Sequence, residues 1–253
     1  MALFEVHFFS ESLRMQSTVE VVLPQRSAAG QIGLTDCADT ERYRVLYLLH
    51  GLSDDETIWL RRTSIERYAA DYGIAVVMPN GHRSFYTDMR HGGAYFDFLT
   101  RELPLRMREF FRISERREDT FIAGLSMGGY GALKAALRCP DRYARAAGLS
   151  AVADIREFCD AMPAVAEPIF GSAADVPESD DLFALARAGK TRQNKPELYL
   201  GVGLQDDLCP ANRRLSAELR ANGYAVTYRE SDGVHNWAFW DEYVRYVLAW
   251  MFA

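Results

Sequence analysis

The stretch 120–132 constrains the fold of this chain more than any other. An apolar run enters Gly124-Leu125-Ser126-Met127-Gly128, and a helix-forming run leaves it. This order of strand, sharp turn and helix is typical of an elbow that forces its serine into a strained backbone conformation, with small residues two positions away on either side. The motif predicts that Ser126 stands exposed at the C-terminal end of a strand, as a candidate nucleophile.

The rest of the chain alternates between apolar runs short enough for strands and segments with helical periodicity. The predicted strands are 4–9, 17–23, 43–49, 74–78, 120–123, 144–149, 198–202 and 225–230. The predicted helices are 64–72, 95–111, 129–138, 211–222 and 237–251. This alternation indicates an α/β fold with a mostly parallel, doubly wound sheet. The first two strands have the alternation of an antiparallel hairpin, and a Gly-, Ser- and Asp-rich connection follows at 24–42.

Segment 152–195 departs from this pattern, because it carries Pro163, Pro168 and Pro177 and has no clean period. We interpret it as a cap-like insertion above the strand ends of a single domain, 1–253. An ordinary long connection that packs a small core of its own is the alternative. The apolar residues that could roof a pocket are Phe158, Met162, Ile169 and Phe170.

The charge balance argues against one class of partner. A net charge of −6 leaves no general basic surface, whereas phosphate binding needs clustered Lys and Arg, so we expect no nucleic-acid partner. There is no run of about 18 apolar residues and no secretory leader pattern, so we expect no membrane association and a cytoplasmic location. The cysteines have neither C-x-x-C spacing nor a neighbouring His at ligand spacing, which predicts reduced thiols and no metal site; they are Cys37, Cys139, Cys159 and Cys209.

One histidine is placed to act as a base for Ser126. A serine hydroxyl is a weak nucleophile at neutral pH and needs a base within hydrogen-bond reach, together with a carboxylate that orients the base. Behind an elbow of this kind the partners follow in the order acid, then histidine. Of the five histidines only His235 follows Ser126, just after the last predicted strand and before the last helix. We therefore predict that His235 is the base.

The acid has several candidates. The predicted strand 198–202 runs into Gly203-Leu204-Gln205-Asp206-Asp207, so two carboxylates leave a strand end before the next helix. Spacing does not choose between Asp206 and Asp207, and the one that is not the acid would be a solvated or helix-capping carboxylate. Asp232, on the same loop as His235, is a third candidate.

Acyl transfer also needs backbone N–H donors for a developing oxyanion. One usually comes from the residue after the nucleophile and one from the loop after an earlier strand. Met127 would supply the first, and the loop His50-Gly51-Leu52 would supply the second through the Leu52 amide, because Gly51 permits a close backbone approach. We expect His50 itself to be a structural hydrogen-bonding residue and not a base.

Aromatic residues in two early loops and in the insertion are candidates for a substrate pocket. We predict Trp59, Tyr86 and Phe170 for this role, with Phe85 as a further candidate. The insertion is short and broken by prolines, and it offers no strongly apolar, amphipathic lid. Action on long acyl chains is therefore disfavoured.

Several runs taken together resemble the tributyrin-esterase branch of the putative-esterase family. That family also includes S-formylglutathione hydrolases, acetyl and feruloyl esterases, and mycolyltransferases. The similarity covers most of the chain, and the runs that carry it are 50–55, 59–68, 78–81, 83–89, 124–131, 203–212 and 235–237.

The resemblance implies an α/β-hydrolase fold and a serine carboxylesterase that hydrolyses short-chain acyl esters through an acyl-serine, without a metal or organic cofactor. The family's glycine-x-glutamate-aspartate-type loop aligns with 203–206, which selects Asp206 as the acid. A homodimer or homotetramer is implied as well. An S-formylglutathione hydrolase is the alternative, with Arg83 and Arg90 as partners for the tripeptide carboxylates. An acyltransferase and a non-catalytic binding protein on the same scaffold are further alternatives.

Overall fold

A computed structural model of the chain describes residues 1–25 and 40–252. The connection expected at 24–42 therefore lies for the most part outside the described residues, and so does Cys37. No helix within the described ranges is long and apolar enough to cross a membrane.

Eight strands form one sheet in the order β1-β2-β4-β3-β5-β6-β7-β8. β1 pairs with β2 and β2 with β4 in antiparallel fashion, and the remaining neighbours are parallel. The predicted mostly parallel sheet with an N-terminal hairpin is thereby confirmed. The strands are β1 (Ala2–Ser10), β2 (Met15–Leu23), β3 (Val45–Leu49), β4 (Ala75–Pro79), β5 (Thr120–Leu125), β6 (Arg145–Leu149), β7 (Glu197–Gly203) and β8 (Val226–Ser231).

Helices follow most of the strands, as the alternating pattern predicts. The helical run expected at 95–111 is α3 and α4 joined by a π-helical turn, Phe98–Glu102, and the short α1 was not expected. The helices are α1 (Ile58–Arg62), α2 (Ile65–Tyr72), α3 (Tyr95–Asp97), α4 (Leu103–Phe110), α5 (Met127–Arg138), α6 (Ile155–Ala161), α7 (Pro163–Ala166), α8 (Leu182–Ala188), α9 (Cys209–Ala221) and α10 (Trp237–Phe252).

The sheet carries a hydrophobic core on each face, because alternate residues of a strand point to opposite sides. In β3, Val45, Tyr47 and Leu49 belong to one cluster, while Leu46 and Leu48 belong to the other. All five are buried, which explains why this strand reads as a continuous apolar run. Helices α4, α5, α8 and α9 cover the first face, and α2 and α10 cover the second.

Segment 152–195 holds α6, α7 and α8 and is anchored to the helix that follows Ser126. The buried ammonium of Lys134 on α5 donates to Asp180 Oδ1 at 3.2 Å and to Thr87 Oγ1 at 2.5 Å. The Tyr130 hydroxyl donates to the Asp180 carbonyl at 2.6 Å. Burial lowers the pKa of Lys134 to about 8, and the nearby Asp180 carboxylate opposes that shift. α8 packs against α5 and α9, so this part of the segment belongs to the layer that covers the sheet.

Candidate active site

Ser126 lies between β5 and α5 in a strained backbone conformation. Its φ is 53° and its ψ is −116°, a combination that L residues rarely adopt. The Ser126 N–H donates to the Leu149 carbonyl at 2.8 Å, and its carbonyl accepts from Tyr130 N at 3.0 Å and Val152 N at 3.2 Å. Bonds to α5 and to the end of β6 with the residues just after it therefore hold the turn in place.

The glycines of the motif are required by how closely the backbone packs at the turn. A Cβ on Gly124 would lie 2.4 Å from the carbonyl carbon of Gly128, and a Cβ on Gly128 would lie 2.5 Å from the Leu49 carbonyl oxygen. Real Cβ atoms do not approach other atoms so closely. The elbow can form only with hydrogen at both positions, which is the physical content of the sequence motif.

His235 joins Ser126 to Asp206. The Ser126 hydroxyl lies 3.1 Å from His235 Nε2, and Asp206 Oδ2 lies 2.9 Å from His235 Nδ1. The side chain of His235 is 38% exposed and that of Asp206 is 1% exposed. The three residues follow β5, β7 and β8, so the parallel sheet brings the ends of these strands to one edge.

The carboxyl group of Asp206 is ionised at neutral pH, and this decides the tautomer of His235. Burial raises the pKa of Asp206, but hydrogen bonds from His235 and from the Leu208 amide (2.9 Å) more than offset it, so the pKa is lowered. An ionised carboxylate only accepts hydrogen bonds, so His235 Nδ1 carries the proton. Its Nε2 is then free to accept the proton of Ser126.

The other two candidate acids lie elsewhere. Asp207 is exposed, and Asp232 Oδ1 accepts a hydrogen bond from Gln205 Nε2 at 3.4 Å. Gln205 also accepts from the Gly233 N–H at 2.8 Å, so its side chain ties the loop of Asp206 to the loop of His235. Sequence reasoning did not anticipate this role for Gln205, because the two loops are distant in the chain.

The two expected oxyanion donors flank Ser126. Met127 is the first residue of α5, where backbone N–H groups lack partners within the helix. On the other side, a Cβ built on Gly51 would lie 3.9 Å from the Cβ of Ser126 and 2.8 Å from Leu125 Cδ1. The loop that carries Leu52 therefore packs its backbone directly against the elbow.

His50 is buried and both of its ring nitrogens bind backbone groups. The Gly81 N–H donates to His50 Nε2 at 2.9 Å, so Nδ1 carries the proton and donates to the Gly51 carbonyl at 2.7 Å. Burial lowers the pKa of His50 to about 4, and the ring is neutral at physiological pH. His50 therefore holds two backbone segments together, which is the structural role predicted for it from the sequence.

A cavity of about 540 Å³ opens in front of Ser126. Most of its lining is apolar, and none of the described residues lining it is a Lys or Arg. Asp54 contributes a carboxyl group whose pKa is raised by burial. The lining residues are Gly51, Leu52, Ser53, Asp54, Phe85, Leu125, Ser126, Val152, Phe158, Met162, Leu208, His235, Asn236, Trp237 and Trp240.

The structure does not place Trp59, Tyr86 or Phe170 in this lining. Trp59 is buried and its indole N–H donates to the Leu49 carbonyl at 3.1 Å. The buried Tyr86 hydroxyl donates to the carbonyl of His50 at 3.2 Å and lies 3.0 Å from its N–H. Phe170 is buried against the rings of Phe85 and Tyr130. Their large apolar surfaces are used in the core, which is the commoner fate of such residues.

The start of α10 supplies pocket residues that the sequence prediction missed. Trp240 packs edge-on against the His235 ring, with centroids 4.9 Å apart, and its indole N–H donates to Ser150 Oγ at 3.2 Å. Trp237 lies edge-on to Trp59 at 5.1 Å. Residues three apart share one face of a helix, so the spacing of the two tryptophans after His235 was an available signal. In the insertion, Phe158 and Met162 line the cavity, whereas Ile169 is buried in the core and does not.

Within residues 1–25 and 40–252, no group of three or more His, Cys, Asp or Glu side chains is arranged to hold a metal ion. The groups at the sheet edge that can take part in chemistry are thus a hydroxyl, an imidazole, a buried carboxylate and backbone N–H donors. Such a set on a mostly parallel sheet defines a serine hydrolase with the α/β-hydrolase fold.

Comparison with known proteins agrees with this class. Residues 10–249 match the family model described as "Putative esterase", and the chain belongs to this family. It is 33% identical over 265 residues to an acetyl esterase of Caldicellulosiruptor saccharolyticus, across 99% of this chain and 98% of that protein. The predicted family and the predicted α/β-hydrolase fold are confirmed.

Two solved structures from Staphylococcus aureus are also similar over their whole length. The fluorophosphonate-binding serine hydrolase FphF, with substrate bound, has a TM-score of 0.88 and 32% identity, over 100% of this chain and 98% of that one. The S-formylglutathione hydrolase FrmB, without ligand, has a TM-score of 0.87 and 32% identity, over 100% and 99%. The chain is accordingly a carboxylic ester hydrolase, as the sequence predicts.

Proposed function

We propose that this enzyme hydrolyses short-chain acyl esters through an acyl-serine, with Ser126, His235 and Asp206 as its catalytic residues and the Leu52 and Met127 amides as oxyanion donors. The observation that carries the proposal is the pair of contacts on one imidazole, 3.1 Å to the Ser126 hydroxyl and 2.9 Å to the Asp206 carboxylate. This is the geometry that an activated serine needs.

The reaction begins when Ser126 Oγ attacks the acyl carbonyl and His235 Nε2 takes the hydroxyl proton. The imidazolium that forms is stabilised by the buried Asp206 carboxylate, which does not itself become protonated. His235 then protonates the leaving alcohol. In the second half-reaction His235 removes a proton from water, the resulting hydroxide attacks the acyl-serine, and Ser126 regains its proton as the carboxylic acid leaves.

The oxyanion of each tetrahedral intermediate is held by two backbone N–H groups. In a planar, trans peptide the C=O and the following N–H point in opposite directions. His50 Nδ1–H fixes the Gly51 carbonyl at 2.7 Å, and it thereby fixes the direction of the Leu52 N–H on the other side of that peptide. His50 is in this way a positioning residue for the oxyanion site, although it does not touch the reacting atoms.

The cavity supports a small, neutral acyl ester as the substrate class. Its apolar walls suit an acyl chain, and its volume of about 540 Å³ suits a small molecule. A cap formed by the beginning of 152–195 accounts for the position of Phe158 and Met162 at its rim.

Thioester hydrolysis is the second candidate, favoured by the similarity to the FrmB S-formylglutathione hydrolase. A tripeptide thiol carries carboxylates that call for cationic partners, but the described lining offers Asp54 and no Lys or Arg. Of the arginines named for this role, Arg90 is paired with Asp175 at 3.3 Å, and neither it nor Arg83 lines the cavity. The charge of the site therefore favours the neutral ester.

A substrate panel with a matched inactive variant tests the proposal. The panel comprises p-nitrophenyl esters from acetyl to octanoyl, together with S-formylglutathione, assayed with wild type and Ser126→Ala at equal folded concentration. We expect kcat/KM to be largest for the shortest esters and to fall towards octanoyl. Ser126→Ala should lose all but about a thousandth of the activity while its melting temperature is retained. An active, folded Ser126→Ala variant would refute the nucleophile, and a kcat/KM for S-formylglutathione far above that of every ester would refute the ester assignment.

A cytoplasmic location and a homodimeric or homotetrameric state complete the proposal. The free thiols of Cys139, Cys159 and Cys209 support a reducing compartment. The oligomeric state rests on the family resemblance, and sedimentation of the wild-type chain at micromolar concentration tests it.

A further inference from the structure

The two edge strands of the sheet differ in what they expose. β1 is nine residues long, pairs with β2 alone among the described strands, and exposes 51% of Leu3, 42% of Phe4 and 49% of Phe9. β8 at the other edge exposes Thr227 and Arg229 instead. Edge strands template pairing with another strand unless charge, proline or a bulge protects them. β8 exposes an arginine, whereas the exposed residues of β1 are mostly apolar, with Glu5 and His7 between them.

We propose that β1 is a homodimer contact, in which it pairs antiparallel with β1 of a second copy about a two-fold axis at Val6. This assigns a surface to the homo-oligomer proposed above and is independent of the catalytic assignment. The two sheets would join edge to edge into one continuous sheet.

The register follows from symmetry and from the sequence of the strand. A two-fold axis perpendicular to the sheet keeps every side chain on its own face, so a residue can oppose only residues an even number of positions away from it. Centring on Val6 sets the whole of β1, Ala2–Ser10, against its copy. The opposed pairs are then Leu3 with Phe9, Phe4 with Phe8, and Glu5 with His7.

The neighbouring registers are less complementary. A shift that centres the pairing on Glu5 opposes two carboxylates directly, and like charges at that position are destabilising. A shift that centres on His7 opposes two imidazoles and sets Glu5 against Phe9. Of these three registers, only the Val6-centred one opposes apolar with apolar residues and acid with imidazole at every position from Leu3 to Phe9.

Aromatic rings extend the contact on one face of the sheet. Phe8 packs against Phe110 at 6.1 Å, and Phe4 packs against Phe111 at 5.3 Å. Phe110 is 48% exposed in the single chain. In the Val6-centred register Phe8 lies opposite the partner's Phe4. The Phe8–Phe110 pair of one copy would then lie beside the Phe4–Phe111 pair of the other, once on each side of the two-fold axis. A second copy of the chain would thereby cover surface that the isolated chain leaves exposed.

The opposite face favours the same register through its acid and imidazole side chains. His7 Nε2 lies 3.0 Å from Glu5 Oε1, and both side chains are more than half exposed. An exposed pair of this kind contributes little to a single chain. Around the axis of the dimer, acid and imidazole would alternate, because each Glu5 would also face the partner's His7. Pairing of a carboxylate with an imidazole favours this register over the two in which like groups are opposed.

Disulfide trapping tests the register directly. Directly opposed residues of an antiparallel pair have Cα atoms about 4.5–5.5 Å apart, which a disulfide can span. We expect Val6→Cys to form a covalent dimer on mild oxidation, seen by non-reducing electrophoresis against wild type. Leu3→Cys is the matched control, because its two copies would lie about 20 Å apart at opposite ends of the paired strands. Equal trapping of both variants, or no trapping of Val6→Cys, would overturn the proposal.

Charge swapping provides a second readout that a folding defect cannot imitate. In a homodimer, His7→Glu would oppose two carboxylates, and Glu5→Lys would set a lysine in place of the carboxylate that faces the imidazole. Each variant should therefore dimerise more weakly than wild type, measured by sedimentation at equal concentration. An equimolar mixture opposes a carboxylate with a lysine at one position and with an imidazole at the other, and it should give a heterodimer. Failure of the mixture to associate would overturn the register, and a monomeric wild type would overturn the dimer. Ester hydrolysis per chain should be unchanged throughout, because Ser126 follows a strand at the centre of the sheet.

Discussion

Two histidines lie in loops at the same edge of the sheet as Ser126, and they differ in burial and in hydrogen-bond partners. His50 is 1% exposed and its ring nitrogens bind the Gly51 carbonyl and the Gly81 N–H. The side chain of His235 is 38% exposed and its ring nitrogens bind a buried carboxylate and the Ser126 hydroxyl. The partners, and not the residue type or the proximity to the serine, decide what each ring can do.

The different partners of the two rings leave His235 able to exchange a proton with Ser126, whereas His50 cannot. Burial holds His50 neutral, with a pKa lowered to about 4, and backbone groups occupy both of its nitrogens. His235 has an acid on one side and a hydroxyl on the other, so a proton that arrives at Nε2 is stabilised through Nδ1. In the proposed mechanism the loop of His50 thereby supplies rigidity and the loop of His235 supplies acid–base chemistry.

Replacing His235 should have the largest effect. We expect His235→Gln to lower kcat for p-nitrophenyl acetate by about 10⁴-fold to 10⁶-fold, because no other described group contacts the serine hydroxyl in a position to take its proton. The melting temperature should change little, since the ring is partly exposed. His82→Gln, at an exposed histidine outside the cavity lining, is the control and should keep wild-type activity. A His235 variant with activity near that of the control would break the comparison.

The neighbouring aspartates should separate by several orders of magnitude. Asp206→Asn is expected to lower kcat by about 10⁴-fold, because the amide would favour the wrong tautomer of His235. Asp207→Asn, at an exposed carboxylate one residue away, should lower it less than twofold. Steady-state kinetics of the two variants side by side give the answer, and equal losses would show that the base is oriented by something other than the 2.9 Å contact.

Removing the ring of His50 should cost less activity and more stability. His50→Ala removes the hydrogen bond to the Gly51 carbonyl, so the direction of the Leu52 N–H is less well fixed. Complete loss of one oxyanion donor lowers kcat by about 10²-fold to 10³-fold. We expect kcat to fall by about 10-fold to 10³-fold with KM nearly unchanged, and the melting temperature to drop. A loss as large as that of His235→Gln would mean that His50 takes part in proton transfer. An unchanged kcat would show that His50 does not position the oxyanion donor.

The smallest expected effect is on the pH dependence of stability. The pKa of His50 is about 4 in the folded protein and near its ordinary value of 6.5 in the unfolded chain, so between these values only the unfolded chain binds the proton. The free energy of unfolding therefore falls as the pH is lowered from 6.5 to 4, by on the order of 3 kcal/mol in total. Above pH 6.5 the residue is neutral in both states and causes no such loss. Urea denaturation at pH 7.5 and 4.5 should show a smaller pH loss for His50→Gln than for wild type. Parallel losses would contradict the assignment.

Much of the fold could be predicted from the sequence, because strands buried on both faces leave continuous apolar runs and the helices between them have their own period. Ser126 and His235 could be placed near strand ends for the same reason, because the carboxyl ends of parallel strands meet at one edge of the sheet. The choice of Asp206 as the acid came from the family resemblance and not from spacing. The short helices in 152–195 could not be predicted from the sequence, although the side chains of Asp154 and Asp181 cap two of them. Helices of seven residues contain too few turns to establish a period.

Sequence could not decide which aromatic residues line the cavity. Trp59 and Trp237 are in edge-on contact, yet one is in the core and the other faces the site. Both side chains bury apolar surface, so the residue type is the same whether the tryptophan lies in the core or lines the cavity. The adjacent Asp206 and Asp207 were equally ambiguous from spacing, because only the path of the backbone after β7 decides which of them turns inward.

In the proposed mechanism the position of His235 makes ester hydrolysis depend on complete assembly of the sheet. Its loop follows β8, a strand at the edge of the sheet that pairs with β7 alone among the described strands, while Ser126 follows the central β5. A refolding chain that has formed its central strands but not yet docked β8 would hold the serine without its base. Recovery of ester hydrolysis after dilution from urea would therefore require that β8 has docked, whereas circular dichroism would follow formation of the helices whether or not it has.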